Sequence, residues 1–209
     1  IMTVPFPKLG RRLVAILRGV KPDEALAIGA AVFEAGIEAI EVPLNSPEPF
    51  RSIEILAKSL PKSALVGAGT VLTEADVDAL VAAGGILAVT PNTRPALIRH
   101  AVDRGLQVAA GVATASEIMR ACEDGFTELK FFPAVQAGGV AMLKAWAGPF
   151  FDVKFCPTGG LTLQNAPDFL ALGKVVCVGG SWLVPANVPE SGDWGRVTRL
   201  AMETQVLRK

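Results

Sequence analysis

Eight short runs rich in aliphatic and β-branched residues recur about every 20–25 residues, and this spacing limits the fold more than any other feature. They are LVAILR (13–18), AIEVPL (39–44), ALVGAGT (64–70), ILAVTP (86–91), QVAAGVA (107–113), ELKFFP (128–133), VKFCPTGG (153–160) and VVCVGGS (175–181). Helical patterns with legible starts lie between them. Pro22-Asp23-Glu24 and Ser46-Pro47-Glu48 put proline and acid into a first turn, and Thr73-x-x-Asp76 and Thr114-x-x-Glu117 match capping boxes. Gly36, Gly84, Gly105, Gly125 and Gly173 mark ends. Alternating strands and helices imply parallel strands joined by crossover helices. Eight such units in 209 residues predict an α/β fold, a compact (β/α)8 TIM barrel spanning 1–209 as one domain. The alternative, an open doubly wound sheet that binds a dinucleotide, is weakened because no GxGxxG follows the first run.

Composition narrows the function classes. The chain is 51% hydrophobic, yet its longest stretches without a charge, 79–93 and 175–189, are broken by Gly and Pro. Neither reaches the roughly 20 apolar residues that a membrane helix needs. Acidic and basic residues balance at 20 each, which argues against a nucleic-acid or anionic-membrane surface. Cys122, Cys156 and Cys177 form no CxxC pair and read as reduced core thiols. In the N-terminal IMTVPFPKLGRR the basic residues follow the apolar ones, the reverse of a signal peptide. The expectation is a cytoplasmic protein with no nucleic-acid or membrane partner.

In a barrel of this kind the active site sits at the carboxyl ends of the strands. Those ends carry Arg18, Glu41, Thr70, Pro91, Thr114, Lys130, Thr158-Gly159-Gly160 and Gly180-Ser181, while the strand beginnings read as plain. Side chains alternate along a strand. Glu41 therefore shares a face with Ala39 and Pro43, opposite Ile40, Val42 and Leu44, which suit the layer facing the helices. Arg18 aligns with Val14 and Ile16. Lys130 lies opposite Leu129 and Phe131, but a Phe on each face leaves that parity open. Burial disfavours a charged amine and lowers its pKa, so an interior Lys130 could attack a carbonyl as the neutral amine. Glu41 could move protons in that reaction and Arg18 could hold a carboxylate. A structural ion cluster of the same three residues satisfies the spacing as well.

The glycine pairs of PTGG and VGGSW fall at the two loops where barrels most often bind phosphate. Together they point to a phosphate held by backbone N–H groups and Ser181. His100, the single histidine, falls on a charged helix, and no Cys/His spacing suits zinc, so no metal is expected.

The motifs LVAILRG, IEVPLNSP, GAGTVLT, GVATASEIMRA, LKFFPA, GGVAMLKAWAGPF, KFCPTGG and CVGGSWLVP run in order over about residues 12–187. Together they resemble the 2-keto-3-deoxy-6-phosphogluconate (KDPG) aldolases and their phosphogalactonate (KDPGal) relatives. The resemblance implies a homotrimer of (β/α)8 barrels and a class I aldolase without metal or cofactor, its substrate a phosphorylated keto-deoxy sugar acid that yields pyruvate. It implies Lys130 as the Schiff-base lysine, Glu41 as a proton relay through a water, and Thr70 at the carboxylate end. Pro91 and Phe132 would line the pocket. Thr158, Gly159, Gly160, Gly180 and Ser181 match the distal hydroxyl and phosphate positions. Some KDPG aldolases carry EVTLRT, whose arginine contacts the pyruvate carboxylate; here EVPLNS places Asn45 at that point, leaving Arg18 to supply the charge. PLNSP and TPN resemble the KDPGal branch, whereas Thr158 and VGGSWLVP are KDPG-like.

Overall fold

The computed structural model describes residues 9–185 and 187–207. Among them eight parallel strands alternate with helices. The strands are β1 (Leu13–Ile16), β2 (Ala39–Pro43), β3 (Leu65–Gly69), β4 (Leu87–Val89), β5 (Gln107–Val112), β6 (Glu128–Phe131), β7 (Lys154–Pro157) and β8 (Val178–Gly180). The helices are α1 (Pro22–Glu34), α2 (Pro49–Ser59), α3 (Glu74–Ala82), α4 (Pro95–Asp103), α5 (Ala115–Glu123), α6 (Gly139–Trp146), α7 (Ala166–Leu170), α8 (Val188–Ser191) and α9 (Trp194–Glu203). The sheet order is β7-β6-β5-β4-β3-β2-β1-β8, and single bridges at Phe155–Val175 and Thr158–Gly179 bring its two edges together. The result is a nearly closed (β/α)8 barrel.

Local sequence sets the element ends. Thr73 and Thr114 form the expected capping boxes, accepting from the Asp76 and Glu117 amides while each acid reaches back to the cap N–H. Gly36, Gly84, Gly105 and Gly125 adopt the left-handed conformation that stops a helix, but Gly173 does not. Ser46-Pro47-Glu48 is not a first helical turn: α2 starts at Pro49, after Glu48 at φ +41. The eighth run also starts late, because 175–177 crosses as a single bridge before β8 begins.

Alternation sorts the strand side chains into two layers. Leu13, Ala15, Ile40, Val42, Leu129, Phe131 and Phe155 join the core against the helices, and Phe131 packs edge-on to Trp146 of α6 with ring centres 5.0 Å apart. Val14, Ala39, Cys156 and Cys177 fill the barrel interior. Phe131 thereby resolves the open parity of β6, because its outward ring leaves Lys130 facing inward.

The strand beginnings are not plain. Lys154 and Glu128 pair at 3.6 Å between neighbouring strands. Arg12 donates to the carbonyls of Val176 (3.0 Å), Leu170 (3.2 Å) and Val175, tying the end of α7 to the entry of β8. Carbonyls left over where the β7–β8 ladder is incomplete need donors, and a guanidinium supplies several from one side chain.

Candidate active site

Glu41 and Lys130 face one interior cavity whose wall also includes Ile16, Cys156, Thr158 and Gly179. It encloses about 10 Å³, the space of a single water. Strand register brings these groups together: Ile16 pairs with Glu41, and Lys130 lies between Gly111 and Cys156. Glu41 is 4% exposed and Lys130 6%. Burial pushes Glu41 up to about 7, although the charges of Lys130 and Arg18 and the Gly69 amide pull the other way. Burial likewise lowers Lys130 from its ordinary value, against the attraction of Glu41. The amine also lies 4.3 Å from the centre of the Phe132 ring, just past the end of β6. Glu41 Oε2 is buried with no hydrogen-bond partner among the described residues, so it is open to accept a proton.

Small residues make room for this arrangement. A Cβ at Gly69 would lie 2.5 Å from the Glu41 carboxyl carbon, nearer than real Cβ contacts come. Gly111 lets the main chain of Pro91 approach, since a Cβ there would meet the Pro91 carbonyl oxygen at 2.5 Å. Gly179 does the same for Thr158, whose Cγ2 would be 3.0 Å from an added Cβ. These three glycines shape the site by close approach, and none of them stands among the strand-end candidates. The available signal was glycine inside a strand, which marks a close approach of backbone or side chain.

The other expected positions lie at or just past the carboxyl ends of the strands. Thr70 follows Gly69 at φ +57, a strained conformation for a β-branched residue. Thr158 is buried, its hydroxyl 3.4 Å from the Cys156 carbonyl oxygen. Gly159 and Gly160 turn through φ +99 and +76, and Asn165 holds the Gly160 carbonyl at 3.1 Å. Gly180 ends β8 under the Trp182 ring, and half-buried Ser181 follows. The Thr158–Gly179 bridge sets the β7 and β8 loops side by side. Arg18 differs from expectation: β1 stops at Ile16, and Arg18 is exposed in the turn beyond it. Its charge nonetheless acts on both Glu41 and Lys130.

Cys156 and Cys177 are free and both lie in the barrel interior; Cys122 is a half-buried thiol in α5. His100 lies on α4 beside Asp78 at 3.0 Å. Among the described residues no group of three or more His, Cys, Asp and Glu could hold a metal ion. Among them, too, no helix is long and apolar enough to cross a membrane.

The family model for KDPG and KHG aldolases matches residues 8–200. The chain belongs to this family. It is 42% identical over 183 residues to the 2-dehydro-3-deoxy-phosphogluconate aldolase of Dickeya dadantii (strain 3937), covering 88% of this chain and 85% of that protein. The solved KDPG aldolase of Legionella pneumophila, which holds pyruvate as a covalent carbinolamine intermediate, superposes with a TM-score of 0.89 at 36% identity. That match covers 96% of this chain and 95% of the other. A native KDPGal structure superposes with a TM-score of 0.87 at 39% identity, covering 99% and 97%. The protein is therefore an aldolase-family lyase.

Proposed function

We propose that this chain is a class I aldolase that cleaves KDPG to pyruvate and glyceraldehyde 3-phosphate through a Schiff base on Lys130. The observation that carries this reading is a buried amine with a lowered pKa facing the same cavity as a buried carboxyl raised to about 7. The neutral amine of Lys130 adds to the C2 ketone, and loss of water gives an iminium. Glu41, through a water, takes the C4 hydroxyl proton. The C3–C4 bond breaks, its electron pair moves into the iminium to give an enamine, and glyceraldehyde 3-phosphate leaves. Protonation at C3 and hydrolysis then release pyruvate and restore the amine. Arg18 and Thr70 hold the carboxylate end, and Pro91 and Phe132 wall the keto acid. Thr158 meets the distal hydroxyls. Backbone N–H groups of Gly159, Gly160 and Gly180, with Ser181, receive the phosphate. No cofactor takes part, and the working assembly is a cytoplasmic homotrimer.

A second substrate reading has its own support. The KDPGal structure matches over nearly the whole chain, and Asn45 and Ser46 follow the pattern of that branch. The two sugars differ only at C4, so kcat/KM measured for both epimers decides between them; KDPG is expected to be preferred. The chemistry itself is tested with pyruvate and borohydride. Trapping is expected to add one reduced pyruvyl group at Lys130, and K130M is expected to remain folded and unlabelled. A folded parent protein that takes no label refutes the Schiff base.

A further inference from the structure

The loop after β2 contains a buried hydroxyl that the proposed reaction leaves without a task. Ser46 is 7% exposed and lies between exposed Asn45 and Pro47. Its Oγ accepts a hydrogen bond from the Gly19 amide at 3.1 Å, linking the β2 loop to the β1 loop. Gly19 adopts φ +74, a conformation that favours glycine, immediately after Arg18. On the other side of Arg18, the Leu17 amide donates to the Glu41 carbonyl at 2.9 Å. The arginine backbone is thus held at both neighbours, by the strand ladder and by one serine hydroxyl. Its side chain makes no ion pair with a carboxylate among the described residues, yet its charge reaches Glu41 and Lys130.

We infer that Ser46 is the positioning residue for Arg18, fixing the Arg18–Gly19 turn so that the guanidinium meets the carboxylate of a keto acid bound at Lys130. The inference rests on the aldolase reading. With Asn45 uncharged and exposed, the β2 loop offers the substrate no cation of its own, and its contribution passes through the Gly19 contact. An arginine on a loose turn would have to be ordered anew at each binding event, whereas a braced turn is ordered beforehand. Ser46 itself touches no reacting atom.

The test is the pyruvate concentration that half-saturates borohydride trapping. S46A is expected to raise it about 5- to 30-fold, the factor corresponding to one lost hydrogen bond to a part-buried amide. S46T, which keeps the hydroxyl, stays within about threefold of the parent. R18M raises the value further, and adding S46A to R18M changes it by less than about twofold, because the serine acts through the arginine. A parental value for folded S46A overturns the inference, as does an S46T that behaves like S46A. Equal effects of S46A with and without Arg18 would assign the serine a merely structural role. Where S46A does not fold, S46C, a weaker acceptor of similar size, is expected to fall between parent and R18M, and a parental value overturns the inference. Absence of trapping in the parent rejects the aldolase reading and the inference with it, an outcome distinct from the others.

Discussion

Gly69→Ala puts the packing of the site under direct strain. The added methyl would sit 2.5 Å from the Glu41 carboxyl carbon and nearer still to Oε2, about 1 Å inside ordinary van der Waals contact. Glu41 has little room to yield, since it is 4% exposed and its neighbours Ile40 and Val42 are fully buried. The Gly69 carbonyl also accepts the Leu44 amide at 2.9 Å across the ladder, and Gly69 leads into strained Thr70, so the backbone resists as well. Overpacking of this kind costs about 1–3 kcal/mol, or a fall in melting temperature of roughly 2–12 °C for a chain of this size. The effect on catalysis should be larger. Displacing a reacting group by about 1 Å costs about 100-fold in rate, and that is the expected loss in kcat/KM. The assay is pyruvate release from KDPG, coupled to NADH oxidation by lactate dehydrogenase. Gly173→Ala is the control, because nothing lies within 4 Å of its added Cβ and its backbone is not left-handed; it should behave as the parent. If folded G69A keeps kcat/KM within about threefold of the parent, the placement of Glu41 against Gly69 is wrong.

Two further outcomes are expected. Glu41 is raised from 4.5 to about 7, so its stabilising contribution is complete below pH 4.5 and is lost as pH rises through 7. Ionising it costs about 3 kcal/mol, and E41Q removes that cost; the melting temperature of E41Q relative to the parent should climb by several degrees between about pH 5 and 8. A difference that stays flat over that interval contradicts the raised pKa. R12A leaves the carbonyls of Leu170, Val175 and Val176 without their guanidinium donor and should cost about 2–4 kcal/mol, lowering the melting temperature by roughly 4–16 °C. Lys130 labelling should survive in R12A, and a melting temperature within about 2 °C of the parent would remove Arg12 as the tie between α7 and β8.

The parts of the barrel that repeat were legible in the sequence, because a strand with one face against helices shows its period directly. Ile40 and Val42 against Glu41 is such a case, and the structure puts the carboxyl in the interior. Lys130 was ambiguous only because Phe131 and Phe132 occupy opposite faces, and it took Trp146 of α6 to claim Phe131. What stayed hidden depends on contacts between units. Ser46 resembles a helix start, but its hydroxyl serves a glycine on the preceding loop instead of its own helix. Arg18 reads as the last residue of a strand, yet β1 ends two residues earlier in a turn that exposes it. Arg12 looks like an ordinary basic residue until the gap between β7 and β8 supplies the carbonyls it binds. Neither hydrophobic period nor local propensity carries information about a partner more than 20 residues away.

The directions of the two pKa shifts favour reading Glu41 and Lys130 as a chemical pair over a structural one. In an ion pair kept for stability, attraction outweighs burial: the carboxyl moves down and the amine up. Here both move the other way, because burial is the largest influence on each and the mutual attraction only partly offsets it. Glu41 and Lys130 are each brought toward neutrality, where an amine is a nucleophile and a carboxyl exchanges protons readily near pH 7. Gly69 leaves the room that the Glu41 carboxyl occupies, and Gly111 lets the Pro91 main chain approach. Arg18 sits outside, exposed to solvent, where its charge is inexpensive to keep and still reaches both groups. On the proposed reading, the barrel keeps its permanent charge at the mouth, where an anionic substrate would enter, and its convertible groups in the interior, where the bond would be broken.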